Sequence, residues 1–281
     1  MAMVQTKRLA ALLLALLLTL FLLPSAWADS GVVGGTTVSG TVRVYLSSIS
    51  SLTAVDVSIA GSYSVGGDAS RALARGQNIR VSNSGGTLMM TADGQTQTMG
   101  SRFKLRRHQT SGENGVRIAQ ARYPASLYPG DIEFIAKGGN VQIIVHVYME
   151  DYMLGVLPYE MDNSFPLEAL KAQAIAARTY TLYRIRGGGS ANHPDADACD
   201  DHTCCKAYIN AEQAAANWGS MAVYYEEKLA RAVSETDGEV ILYDGAPILA
   251  VFFSSADGST QGAGDVWMND LPYLQKVDSP E

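Results

Sequence analysis

The chain has 281 residues, with 21 Lys+Arg against 28 Asp+Glu, a net charge of −7 and 47% hydrophobic residues. An acidic surface argues against nucleic acid or anionic lipid as the main partner. The length allows one large or two modest domains with buried cores.

At the start of the chain, Lys7 and Arg8 precede the leucine-rich run Leu9 to Leu23, and Pro24 ends it. Ala26-Trp27-Ala28 follows and fits the small-x-small pattern of a signal-peptidase site. The run is shorter than the ~20 apolar residues of a typical spanning helix. The expectation is a signal peptide over residues 1–28, with an uncleaved signal anchor as the alternative. Either way the protein is extracytoplasmic, and it touches the membrane only if the signal is uncleaved. Without residues 1–28, 19 Lys+Arg face 28 Asp+Glu, a net charge of −9.

Residues 38–148 read as a β-rich domain. Thr41 to Leu46, Val55 to Ile59, Asn78 to Val81 and Ile132 to Ile135 alternate, and glycines such as Gly61, Gly85, Gly94 and Gly138 punctuate them. From residue 149 the pattern turns helical. Glu150 to Glu160 suits a short helix, and Pro166 opens a longer one in which Leu167, Leu170, Ala174, Ala177 and Thr181 form a buried stripe. That helix ends at Gly187-Gly188-Gly189 and would be about 30 Å long. After a polar loop, Met221 to Thr236 reads as a helix. Glu239 to Tyr243 and Pro247 to Phe253 read as a hairpin around Asp244-Gly245. The fold class is α+β: a β-rich N-terminal part packed with a mixed catalytic part that holds one long central helix. The sequence stops abruptly at Ser279-Pro280-Glu281, so residues 149–281 are expected to be incomplete at the C-terminal end.

Three groups of residues are candidates for chemistry. Cys199, Cys204 and Cys205 lie within seven residues of one another, with His193 ahead of them and His202 between. A disulfide with an odd thiol and a thiolate–imidazole metal site both satisfy that pattern, and zinc suits such ligands. Glu160 has Val156, Leu157, Met161 and Phe165 for neighbours. A glutamate is ordinarily a solvated surface residue, but a carboxyl in apolar surroundings can hold its proton as a general acid must. Lys171 and Arg178 share a face of the long helix with Gln173 nearby, as ordinary exposed positions or as ligand contacts.

The run from Glu150 to Met161, followed by Phe165 to Tyr180, closely resembles the SpoIID/LytB family, named for stage II sporulation protein D and an amidase enhancer. Weaker similarity extends from about Val42 to the C-terminal end. The resemblance implies a lytic transglycosylase that cuts peptidoglycan glycan strands, preferentially those stripped of their stem peptides. It implies Glu160 as the catalytic residue and zinc, in a structural role, on His193, Cys199 and Cys205. His202 and Cys204 become bystanders or alternative ligands. Lys171, Gln173, Arg178, Ser254 and Gln261 are expected to meet substrate, and a cell-wall amidase is an implied partner. The chain departs from the family at Ser254 to Gln261, with Asp257 for a glycine and Gln261 for an acid. It departs again at Cys205-Lys206, where the family has Cys-Gln, and it lacks the family's later Gly/His-rich motif. Those departures leave a second reading: a binding module or amidase enhancer that holds glycan without cutting. A third treats residues 38–148 as an adhesive β protein.

Overall fold

A computed structural model describes residues 40–49, 52–119 and 125–279, together with the backbone of two short paired strands, Val32–Val33 and Thr36–Thr37. That hairpin lies in a unit ending at residue 40, and the residues from Thr41 onward form a second unit. The apolar run Leu9 to Leu23 and the expected cleavage site lie outside the described residues. No helix among the described residues is long and apolar enough to cross a membrane.

In the second unit the strands are β1 (Thr41–Tyr45), β2 (Ala54–Ile59), β3 (Tyr63–Val65), β4 (Ala72–Leu73), β5 (Asn78–Ser84), β6 (Thr87–Ala92), β7 (Gln95–Gly100), β8 (Arg102–Arg107), β9 (Val116–Ile118), β10 (Ser126–Tyr128), β11 (Asp131–Lys137), β12 (Asn140–Tyr148) and β13 (Ala198–Cys199). One sheet runs in the order β13-β1-β12-β11-β8-β3-β4 and the other in the order β10-β9-β2-β5-β6-β7. Neighbours are antiparallel except β13, which runs parallel to β1. The alternation expected at β1 and β2 is present: Val42, Val44, Val55, Val57 and Ile59 are buried, and the residues between them are more exposed.

β11 and β12 do not alternate. Val141 to Val145 is buried without a break, because both faces of these strands are covered. β12 meets β2 and β5 of the second sheet, while Ile135 and Ile144 pack with Ala196 from a distant loop. A buried run of this kind, apolar except for Gln142, marks a strand with no solvent face.

A polar relay crosses the first sheet between β8, β11 and β12. Lys104 Nζ lies 3.3 Å from His146 Nδ1, and His146 Nε2 lies 2.7 Å from Glu133 Oε2. A lysine only donates, so Nδ1 accepts and the Nε2 hydrogen faces the carboxylate. The hydrogen bond from His146 holds the Glu133 carboxyl below its ordinary value of 4.5. A lowered carboxyl adds stability that is fully present above that value and lost as pH falls through the folded one. Glu133→Gln should therefore flatten the acid limb of the stability curve below about pH 4.5, read from urea midpoints across pH. An acid limb as steep as that of the parent would contradict this account.

The helices are α1 (Met149–Glu160), α2 (Leu167–Arg186), α3 (Ala211–Trp218), α4 (Ala222–Ser234) and the short α5 (Ala263–Trp267). α2 is 20 residues long and packs on both α1 and α4. Leu170, Ala174, Ala177 and Thr181 are buried as the stripe requires, and the alanines let the neighbouring helices come close. Pro166 is the N-cap rather than the first helical residue. α3 departs from the expected loop, since Asn210 caps its first turn by accepting from Gln213 N at 2.9 Å. The expected hairpin at 239–253 shrinks to Leu242–Tyr243 and Ala246–Pro247 around Asp244 (φ 48°) and Gly245 (φ 74°). The turn is as expected, but Pro247 has no N–H to donate to the ladder, and the pairing is short.

Candidate functional site

β12 runs directly into α1, and Glu160 is the last residue of that helix. Pro158, two residues earlier, has no N–H for the helical ladder and falls in the final turn, where the helix is ending anyway. The segment after Glu160 is tied down from α4: Lys228 Nζ donates to the carbonyls of Asn163 at 2.9 Å, Ser164 at 3.3 Å and Phe165 at 2.5 Å. Asp162 accepts from Ser164 N at 2.7 Å in the same turn. Glu160 is thus fixed between a helix end and a braced loop, with its side chain 19% exposed.

The apolar neighbours named in the sequence are only part of its surroundings. Val156 and Leu157 are buried, Phe165 is half exposed, and the charged group facing the carboxyl is Lys206, whose Nζ lies 3.8 Å from Glu160 Oε1. Nζ also sits 3.8 Å from the centre of the Phe252 ring and 5.0 Å from that of Tyr180. Burial pushes the Lys206 ammonium down, and the Glu160 charge opposes that shift. Lys206 is the residue that sequence reasoning passed over: it was visible as a Cys-Lys departure, but a partner 46 residues away cannot be read from spacing.

Lys206 directly follows the second cluster. His193, Cys199, Cys204 and Cys205 offer ligand atoms that all lie within 4.8 Å of one another. His193 is buried, its Nδ1 is 3.1 Å from Ala196 O, and its Nε2 is 3.0 Å from Cys205 Sγ. Only an Nδ1 hydrogen can satisfy that carbonyl, which leaves the Nε2 lone pair facing the sulfurs. Such a tautomer-fixed imidazole among thiols fits a zinc ion by donor type and spacing. Burial pushes the Cys199 and Cys205 thiols up, while the hydrogen bond from Asn192 brings Cys204 down. None of the three is in a disulfide.

The loop that carries these ligands is docked on the edge of the first sheet. β13 pairs with β1, Arg43 clasps the Asp197 carboxylate at 2.7 and 3.2 Å, and Asp200 accepts from Ser47 and Ser48. Tyr152 of α1 is fully buried beside the cluster and stacks on Tyr208, with ring centres 5.6 Å apart. Gly155 makes that approach possible: a Cβ there would overlap the Tyr208 ring and stand 2.8 Å from Ile209 O. Gly155→Ala should therefore destabilise by about 1–3 kcal/mol through overpacking, despite alanine's helix preference of roughly 1 kcal/mol over glycine. Denaturant midpoints of the two proteins measure it. An Ala variant at least as stable as the parent would show that the contact yields freely.

The other expected contacts have different surroundings. Arg178 is 2% exposed; its Nε and Nη2 grip Glu150 at 3.0 and 2.6 Å, and its Nη1 donates to Glu239 O. Gln173 is buried as well. Neither occupies an ordinary exposed position, because the stripe of α2 extends over them. Lys171 bridges Glu168 at 2.9 Å and Glu235 at 2.6 Å. Ser254 and Gln261 are exposed.

Residues 137–243, which hold Glu160, α2, the histidine–cysteine loop and Lys206, match the SpoIID family model, described as Stage II sporulation protein. Over this span the chain is similar to the SpoIID family. SpoIID relatives bear the match out. Stage II sporulation protein D of Bacillus subtilis is 34% identical over 139 residues, 50% of this chain and 40% of that protein. The Bacillus amyloliquefaciens protein of the same name is 37% identical over 138 residues, 49% of this chain and 40% of the relative. The amidase enhancer of Bacillus subtilis is 34% identical over 120 residues, 43% of this chain and 14% of the relative. The chain spans about two fifths of the length of the sporulation relatives it matches.

Proposed function

We propose that the protein is an exported lytic transglycosylase that cleaves peptidoglycan glycan strands between N-acetylmuramic acid and N-acetylglucosamine. The observation that carries the reading is Glu160: a partly shielded carboxyl on a braced helix end, inside the SpoIID-matched span. Its export rests on the leader pattern of Lys7, Arg8 and Leu9 to Leu23.

One carboxyl suffices for this reaction. Glycosidases that use water need a second group to activate it or to attack the sugar. Here the muramic acid's own C6 hydroxyl attacks C1 as the C1–O bond to the leaving sugar breaks. Glu160 gives its proton to the departing glycosidic oxygen and then takes the proton of the C6 hydroxyl. The product ends in a 1,6-anhydro ring and no water is consumed. Attack from the same ring supplies by proximity what a second residue supplies elsewhere. Tyr180 and Phe252 hold the Lys206 ammonium over their rings beside Glu160, so a sugar bound there would meet Lys206 and the ring edges. Ser254 and Gln261 are exposed polar groups assigned to its hydroxyls, and Lys171 would join them only on leaving Glu168 and Glu235. Arg178 serves from inside, by holding α2 against α1 through Glu150, and Gln173 is buried in α2.

Zinc on His193, Cys199 and Cys205 would supply a rigid cross-link in the loop that carries Lys206. The natural substrate is strand freed of stem peptide, which makes a cell-wall amidase the functional partner. In the test, the full chain is incubated with stripped and with peptide-bearing glycan, and soluble sugar is measured. Release from stripped strands well ahead of peptide-bearing strands is expected, and equal release from both would remove the substrate preference.

The Lys206 contact favours one other reading. An ammonium seated against two aromatic rings beside Glu160 is suited to holding an anionic glycan group without cutting any bond. On that reading the protein binds strands and enhances an amidase.

A further inference from the structure

We infer that Cys204 is a fourth ligand of the metal site, so that His193 and three thiolates close the coordination sphere and leave no position for water or substrate. The inference rests on the reading that this cluster holds a metal ion. The expected ligand set was one histidine and two cysteines, with Cys204 and His202 undecided. Geometry separates those two. Cys204 Sγ belongs to the group whose ligand atoms lie within 4.8 Å of one another, whereas His202 is exposed and outside it.

Adjacent side chains usually diverge, and here the backbone prevents it. The N–H groups of Cys204 and Cys205 both donate to Asp201 O, at 3.1 and 2.9 Å. That tight turn sets the two sulfurs 4.0 Å apart on the same side. Zinc–sulfur bonds of ~2.3 Å in a tetrahedral site place sulfurs roughly 3.8 Å from one another. The pair is therefore already spaced to share one ion.

The surroundings of Cys204 also suit a thiolate ligand. Asn192 Nδ2 points at its sulfur from 3.5 Å, and Ser190 Oγ stands 4.0 Å away. Three thiolates and a neutral imidazole around a dication leave one negative charge. Polar hydrogens on the sulfur of Cys204 offset that charge, as outer partners of metal ligands do. Asn192 directly precedes His193, so the segment that brings the imidazole also brings this donor.

A closed site acts on structure alone: it fixes the 190–205 loop on the edge of β1 and sets the start of the segment that puts Lys206 against Glu160. An open three-ligand site would keep a position for chemistry.

Cobalt(II) tests this independently of any lytic activity. The full chain is stripped of metal under reducing conditions and titrated with cobalt beside Cys204→Ser and His202→Ala. The parent is expected to show the intense visible bands of a four-coordinate thiolate site. In Cys204→Ser the sulfur-to-cobalt charge-transfer absorption should fall by about a third, one thiolate of three, and the zinc dissociation constant should rise at least tenfold. His202→Ala should match the parent. If Cys204→Ser does not fold, Cys204→His keeps four ligands and should still lose about a third of that absorption. A Cys204 variant with the parent's spectrum would overturn the inference and leave the three-ligand site intact. A parent that takes up neither cobalt nor zinc would overturn the metal reading itself.

Discussion

Glu160→Gln is expected to slow strand cleavage about 10²- to 10⁴-fold, the share that a positioned general acid–base group contributes. The substitution keeps the size and shape of the side chain, and its amide oxygen can still face Lys206. Folding should be untouched, because among the described residues the carboxyl is a partner of no buried backbone group and its charged contact with Lys206 is a 3.8 Å pair. Binding to strands should likewise persist, since Tyr180, Phe252 and Lys206 are unchanged. Rates on stripped glycan, thermal midpoints and strand co-sedimentation measured together separate these effects. Loss of cleavage with binding and stability intact is the expected pattern. Full cleavage by the variant would place the acid elsewhere.

Arg178→Ala should have the largest effect on stability, about 3 kcal/mol, at the low end of what breaking a buried ion pair does. The guanidinium is enclosed, whereas the Glu150 side chain keeps 32% of its exposure, which limits the loss. Removing it leaves the Glu150 carboxylate without its fork and the Glu239 carbonyl without its guanidinium donor, while the Val233 carbonyl keeps Thr236. Arg178→Lys should recover only part, because one ammonium cannot reproduce a bidentate grip and two further bonds. The deficit should also depend on pH. Burial already raises the Glu150 carboxyl, and Arg178 opposes the rise; without Arg178 it goes higher still. A raised carboxyl loses stability as pH climbs from its unfolded to its folded value. The variant should accordingly be hurt most near neutral pH and least near pH 4.5. Chemical unfolding at both pH values measures this, and an equal deficit at each would contradict the assignment to Glu150.

Local features of the fold were legible from sequence. The stripe Leu170, Ala174, Ala177 and Thr181 recurs at helical spacing, and the Asp244-Gly245 turn needs positive φ at both positions. Features that depend on distant partners were not. β13 pairs with β1 across some 150 residues, and that pairing docks the histidine–cysteine loop. Arg178 reads as a surface residue until Glu150 and the carbonyls of Val233 and Glu239 come within reach. α3 is short and alanine-rich, and its clearest local signal is the Asn210 cap three residues before Gln213.

The candidate site divides in the same way. Glu160, His193, Cys199 and Cys205 stood out through motif and residue type, and the structure brings the histidine and cysteines together. The position of Cys204 follows from a backbone turn at Asp201 that spacing does not reveal. Lys206 is set by the docking of the 190–205 loop and by aromatic rings from α2 and from the residues before Ser254. Its importance lies in three-dimensional convergence, which a linear pattern cannot carry.

The most direct measurement is the mass of the strand ends that the full chain releases from peptide-stripped glycan, with Glu160→Gln alongside. Ring closure by the C6 hydroxyl predicts muramyl ends one water lighter than hydrolysis would give, from the parent alone. Ends of full hydrolytic mass, or no cleavage by folded, metal-loaded protein, would contradict the transglycosylase account.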